Sequence, residues 1–196
     1  MTGLRQLKKE RTRAAIADAA ADLFARDGYA GVSMSTVAAA AGVSDQTLYN
    51  YFPTKEALVF DRADRIEASL VEAVLRRPDA TDAVSAFAGW QERMLLGEGA
   101  RRAFVHPGGM VRLVAGSDAL RRMLLDFAHR LGGLLAAGLV ERDGMAEADA
   151  AVLADGMMAV MVRVQERIGT ATAESDLPEV ERYAARAVEA LRALAS

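Results

Sequence analysis

The stretch from Ser33 to Phe52 constrains the fold more than any other, because it holds two helix starts and a stop too close together to belong to one element. Ser33 and Ser44 each precede a helix-compatible run, and a serine hydroxyl there accepts from backbone N–H groups that the first turn leaves without partners. Gly42 lies between them, where a left-handed residue ends a helix at little steric cost. Pro53 closes the second run and Thr54 opens the next. Two short capped helices joined by a tight glycine turn have the anatomy of a helix-turn-helix. The first helix is rich in alanine, with Val37, Ala38 and Ala41 inward, which suits a close crossing. In the second, steps of about 100° per residue place Leu48 and Phe52 together toward a core. The opposite face is centred on Asn50, flanked by Gln46 and Thr47, with Asp45 and Tyr49 on one shoulder and Tyr51 on the other. Amides, a hydroxyl and phenols in such a row are suited to hydrogen-bonding base edges and phosphates.

The rest of the chain repeats the helical period, and no stretch alternates apolar and polar residues long enough for a strand. An all-α fold of nine helices is expected. A first helix spans about Lys8 to Asp27, with Ile16, Ala19, Ala20, Leu23 and Phe24 inward and Gly28 as left-handed terminator; Tyr29 to Val32 connect it onward. A long fourth helix runs from Thr54 to about Arg77, with Val59, Ile66, Leu70 and Val74 at helical spacing. Further helices start at Thr81 or Asp82, at Ser117, near Ala146 and near Pro178. The stretch from Ala100 to Ala115 reads as irregular, because His106-Pro107-Gly108-Gly109 cannot be continuous helix.

The net charge of −3 over 196 residues hides an asymmetry. Arg5, Lys8, Lys9, Arg11 and Arg13 face only Glu10 in the first thirteen residues, a basic arm just upstream of the helix pair. Such an arm supplies sequence-independent attraction to a polyanion, although a solvated terminus has the same composition. With no cysteine, thiolate metal sites, disulfides and thiol nucleophiles are excluded. The two histidines, His106 and His129, sit in no metal-ligand spacing, and no phosphate-binding glycine loop or nucleophile elbow occurs, so neither enzyme chemistry nor a cofactor is expected. Leu131 to Val140, the longest run without a polar side chain, is too short to span a bilayer. The basic start leads into more charge rather than an apolar segment, so no signal peptide is expected and a cytoplasmic location fits.

The run from Ser33 to Leu58 resembles the tetracycline-repressor (TetR) family of bacterial transcription regulators. A Ser cap, the Val37-Ala38 pair, Ala41-Gly42-Val43-Ser44, Leu48-Tyr49, an aromatic before Phe52, and Lys55-Glu56-Ala57-Leu58 all fall at the family's spacing, and Ile16 to Gly28 resemble its first helix. The resemblance covers about residues 9–60. It implies an all-α homodimer with a DNA-binding domain in residues 1–53 and a ligand-binding and dimerisation domain in 54–196. It further implies binding to a palindromic operator, usually as a repressor released by a small-molecule effector. By position, Ser33 would cap its helix against a phosphate, Thr47, Tyr49, Asn50 and Tyr51 would face DNA, and Lys55 would pair with a backbone phosphate. Together with Ser44, Gln46, Lys8, Lys9 and Arg11 these are the candidate DNA-binding residues. Tyr51 stands where the family often has His. Asp45, acidic beside DNA, has two readings: a local cap, or an acceptor from a cytosine amino group. The alternative function is a dimeric helical protein without sequence-specific DNA binding.

Two expectations concern the second domain. Apolar residues cover most of the circumference of the penultimate helix, so Leu153, Met157, Met158, Val160, Met161, Val162 and Val164, with Val180, Ala184, Ala187, Leu191 and Leu194 of the last helix, are expected at a homodimer interface. Trp90, Met94, Phe104, His106, Met110, Met123, Phe127, His129 and Met157 are the candidate walls of a ligand pocket, since adaptable methionines and aromatics concentrate there.

Overall fold

The computed structural model describes residues 2–61, 63–96, 109–171 and 176–194. They form ten helices, with no strand among the described residues: α1 Thr2–Gly31, α2 Met34–Ala40, α3 Asp45–Tyr51, α4 Lys55–Val59, α5 Ala63–Leu75, α6 Ala83–Leu96, α7 Met110–Ala115, α8 Asp118–Asp143, α9 Glu147–Thr170 and α10 Leu177–Leu194. The principal packing divides into two sets. Helix α1 packs on α2 and α4, and α2 on α3, forming a head; α5 to α10 pack on one another as a body.

The head is shaped by its punctuation. Helix α1 is broken at Gly28, whose φ of 75° and ψ of 151° are not helical. A Cβ there would meet nothing within 4 Å, so the backbone conformation rather than space calls for glycine. Beyond the break, Val32 is buried and Ser33 begins α2. Gly42 takes a φ of 66° and turns the chain into α3. Ile16, Ala20, Leu23 and Phe24 of α1, Val37 and Ala38 of α2, and Leu48 and Phe52 meet in one buried cluster.

Several boundaries depart from the sequence expectation, the first being α1, which begins at Thr2 rather than near Lys8 and runs through Tyr29 and Ala30, expected as a connector, to Gly31. The long fourth helix is divided: α4 stops at Val59, Phe60 caps it with φ −95° and ψ 24°, and α5 begins at Ala63. Asp61 lies in that break and accepts from Arg13 Nε of α1 at 2.7 Å, a tertiary bond that periodicity does not register. The stretch expected to be irregular contains α7. Gly109, in extended conformation, starts it, and the apolar run from Met110 to Ala115 continues it. The portion from 97 to 108 lies outside the described residues.

In the body α8 and α9 form the central pair. Among the described residues α8 is the one helix long and apolar enough to cross a membrane, which counting runs without a polar side chain misses. Its leucines 120, 124, 131, 135 and 139 are buried in the body's core. Helix α5 lies so close to it that a Cβ on Gly138 would clash with the Leu75 side chain. At the far end, Arg77, nearly buried, bonds Val74 O, Thr81 O and Asp143, and Arg142 bonds Arg77 O and Asp79.

Candidate nucleic-acid interface

The outer face of α3 is built from its cap upward. Ser44 Oγ accepts from Thr47 N at 3.2 Å and shares a 2.8 Å hydrogen bond with Thr47 Oγ1, so Ser44, not Asp45, caps the helix. Leu48 and Phe52 anchor the inner face with no exposed surface, which fixes the rotation of α3 and turns Gln46, Tyr49 and Asn50 to solvent. Gln46 Nε2 donates to Asn50 Oδ1 at 3.2 Å. The pair one turn apart thus holds itself in line. Gln46 Oε1 and Asn50 Nδ2 remain as an acceptor and a donor side by side, the combination an adenine edge requires. Tyr49 is 49% exposed, whereas Thr47 and Tyr51 are half-buried.

Ser33 caps α2 in the same manner, accepting from Thr36 N at 3.1 Å, and its hydroxyl also meets those of Ser35 and Thr36. Lys8, Lys9 and Arg11 are exposed along α1. Arg13, the last cation of the arm, is turned inward. Its Nε donates to Asp61, its Nη1 to Tyr51 O at 3.4 Å, and its guanidinium lies 4.5 Å from the centre of the Phe52 ring. It therefore ties α1 both to the end of α3 and to the break between α4 and α5.

Lys55, in the first turn of α4, sets its ammonium 4.3 Å from the Tyr29 ring centre and 5.9 Å from that of Phe24. Burial draws its pKa below the ordinary lysine value, and the Glu56 carboxylate opposes that shift. Tyr29 OH donates to Glu56 Oε1 at 3.0 Å; burial and this bond push the phenol well above its usual pKa, so it stays a donor. Backbone hydrogen bonding holds Glu56 below the usual carboxylate range, against burial and with help from Tyr29 and Thr54. Arg13, Tyr29, Glu56 and Asp61 are positioning residues that the sequence reading left unassigned. Their signal lay in pairs far apart in the chain, which local spacing does not reveal.

The residues named for a ligand pocket do not converge. Trp90 is buried between α5 and α6, stacked on Phe87 and donating from Nε1 to Ser69 Oγ at 2.9 Å. Met157 is buried, Phe127 nearly so, and Met110 half-buried, while Met94 and Met123 face solvent. His129 lines a groove between α8 and α9 with Leu125 and Met158. Phe104 and His106 lie outside the described residues. Of the residues named for a dimer interface, Leu153, Met157, Met158, Val160, Met161, Val162, Val164, Val180, Ala184 and Leu191 are buried within their own subunit and Ala187 is half-buried. Helix α8 on one side and α10 on the other cover the apolar circumference of α9. Its outward surface carries Ala148, Val152, Asp155, Ala159 and Arg163 instead.

Residues 16–61 match the family model described as bacterial regulatory proteins, tetR family. The transcriptional regulator TcmR of Streptomyces glaucescens is 29% identical over 150 residues, which cover 73% of this chain and 65% of that protein. The transcriptional repressor NicS of Pseudomonas putida is 33% identical over 72 residues, 37% of this chain and 34% of that one. The matched region thus spans less than two thirds of either relative. The fold is similar to that of GusR from Salmonella enterica, with a TM-score of 0.63 at 22% identity over 94% of this chain and 95% of that one. It is equally similar to NalD, the secondary repressor of the MexAB-OprM multidrug efflux pump in Pseudomonas aeruginosa, with a TM-score of 0.63 at 18% identity over 94% and 96% of the two chains. The capped helix pair and the Lys55-Glu56 turn thus fall within the residues that match the tetR-family model, and the all-helical body shares its fold with GusR and NalD.

Proposed function

We infer that this protein is a cytoplasmic transcriptional regulator, a repressor that binds a palindromic operator as a homodimer and is released by a small-molecule effector. The observation that carries the reading is the outer face of α3, where the Gln46–Asn50 pair stands exposed on a helix whose rotation Leu48 and Phe52 fix. Residues 1–53 form the DNA-binding domain and 54–196 the domain for effector and partner. The roles divide by chemistry. Gln46 and Asn50 read bases; Ser33, Ser44, Thr47, Tyr49 and Tyr51 meet the backbone or groove edge. Lys8, Lys9, Arg11 and Lys55 neutralise phosphates, each releasing about one counterion. Two copies are joined through α9 and α10, where alanines and the 58% exposed Val152 allow close approach of a second helix pair. Twofold symmetry then places the two α3 helices in successive major grooves, with half-site centres about 34 Å apart or a multiple of it.

Selection of bound sequences from a random duplex pool by the full chain tests the reading. A palindromic consensus and a dimeric complex are expected. Recovery of no consensus, with binding that follows salt concentration alone, would favour the helical protein without sequence-specific DNA binding.

A further inference from the structure

Helix α4 links the head to the body, and its five residues, Lys55–Val59, offer little surface to fix its direction. Leu58 and Val59 are buried, but apolar burial is non-directional and sets no angle. Polar bonds to α1 pin the helix at both ends instead. At its start, Tyr29 OH donates to Glu56 Oε1 at 3.0 Å. Just past its end, Asp61 Oδ1 accepts from Arg13 Nε at 2.7 Å, in the break before α5 begins at Ala63. A segment held at one point can swing about it, whereas one held at two has a fixed axis.

Arg13 does more than close the second pin. Its Nη1 donates to Tyr51 O at the end of α3, and its guanidinium lies 4.5 Å from the centre of the Phe52 ring. The donors of one planar group have a fixed mutual geometry, so the end of α3 and the entry to α5 are set relative to each other. The charge of Arg13 is engaged by Asp61, a carbonyl at a helix C-terminus and a ring, whereas Lys8, Lys9 and Arg11 stand exposed. The Arg13 and Asp61 side chains are 37% and 13% exposed, and a partly exposed ion pair contributes little to stability. Direction, rather than folding, is what this one supplies.

We propose that Arg13 and Asp61 are specificity-determining positioning residues: they fix the angle between head and body and so select the spacing of operator half-sites, while α3 reads the bases within each half-site. The assignment rests on the homodimer and palindromic-operator reading above. Its basis is geometrical. Moving one half-site by two base pairs shifts it about 7 Å along the duplex and turns it about 70° around it, since one turn takes about 10.5 base pairs and 34–36 Å. A head with a fixed angle cannot follow such a displacement, and a head freed at one pin can.

The test uses the full chain. It contains no cysteine, so Ala39→Cys, at an exposed position of α2, carries one nitroxide per head. Pulsed electron resonance then reads the head-to-head distance in the DNA-free dimer. The distribution is expected to be about twice as wide in Asp61→Ala and in Tyr29→Phe as in the otherwise native chain. Glu72→Ala, which removes an exposed ion pair within α5 and its flank, should leave it unchanged. On operators whose half-sites are moved apart by two base pairs, the native chain should lose affinity about tenfold and Asp61→Ala about twofold, with the same consensus bases in each half-site. Equal widths, or a spacing penalty that survives in Asp61→Ala, overturn the proposal. So does a drop of about one in the salt slope of Arg13→Ala, which would make Arg13 a phosphate contact. Should Asp61→Ala unfold, Tyr29→Phe, which removes only a hydroxyl at the other pin, carries the same measurements. Absence of dipolar coupling between heads, or of any preference for paired half-sites in the native chain, defeats the homodimer reading itself. A native dimer that needs paired half-sites but whose spacing penalty Asp61→Ala leaves intact defeats the two pins alone.

Discussion

Gln46 and Asn50 in the head carry the same side-chain chemistry as Gln91 and Gln165 in the body, in opposite surroundings. The head's amides are exposed and bonded to each other, whereas Gln91 is only 4% exposed with neither Nε2 nor Oε1 partnered, and Gln165 Oε1 is buried without a donor. An exposed amide exchanges a local partner and water for an incoming one at small net cost, so the head presents a finished surface that changes little on contact. A buried, unpartnered amide has given up its bonds to water without replacement, which lowers the stability of the body that holds it. The difference separates the two regions chemically: available amide groups on the head's exterior, incompletely satisfied ones in the body's interior.

Stability offers the largest means of breaking this comparison. Phe52 is fully buried, and truncating such a residue to alanine costs about 3–5 kcal/mol. Trp90, the chain's single tryptophan, reports on the body only. In urea, Phe52→Ala is expected to lower the helical circular-dichroism midpoint of the head while the Trp90 fluorescence midpoint stays in place. Identical displacement of both signals would mean that head and body unfold as one unit. The next effect concerns reading. Asn50→Ala should weaken the selected operator by about 1–3 kcal/mol and leave random DNA nearly unaffected, because it removes a base contact and no charge. Lys55→Ala should instead weaken both alike and flatten the salt dependence. An exchange of these two phenotypes in a filter-binding titration would reverse the assigned roles.

The head was legible because its determinants are local. Ser33, Gly42, Ser44 and Thr54 each act within four residues of themselves, and the structure gives each the cap or turn that the spacing implies. Reading failed where a tertiary partner decides. The break after Val59 depends on Asp61 meeting Arg13, forty-eight positions earlier. In the body, the apolar circumference of α9 is covered by α7, α8 and α10 of the same subunit, contacts that helical spacing alone does not assign. Of the methionines and aromatics concentrated there, Met94 and Met123 face water while Trp90 and Met157 are buried, a division that composition does not display. Capping extends the contrast. Ser44→Ala should cost the head about 1 kcal/mol, while Ala146→Ser, at a start of α9 that has no side-chain cap, should add up to about as much to the body. Thermal midpoints moving in the same direction for both substitutions would refute that account.

The smallest predicted effect is one of acidity, and it bears on the body alone. Burial pushes the Asp143 carboxyl upward, but hydrogen bonds from Arg77 and Arg142 outweigh it and hold the folded pKa below the usual value. A carboxyl with a depressed folded pKa stabilises the native state fully above its unfolded pKa, about 3.9, and that contribution is lost as pH falls through the lower folded value. Arg77 cannot titrate in this range and remains nearly buried beside it, with a side-chain exposure of 6%. The stability difference between the native chain and Asp143→Asn, followed by Trp90 fluorescence in urea, should therefore hold steady from about pH 7 to 5 and narrow below about pH 4. Because Asn keeps the shape and most of the hydrogen-bonding capacity of Asp, the narrowing isolates the charge. A difference that persists unchanged into acid would assign the clamp at Arg77 to packing and neutral hydrogen bonds.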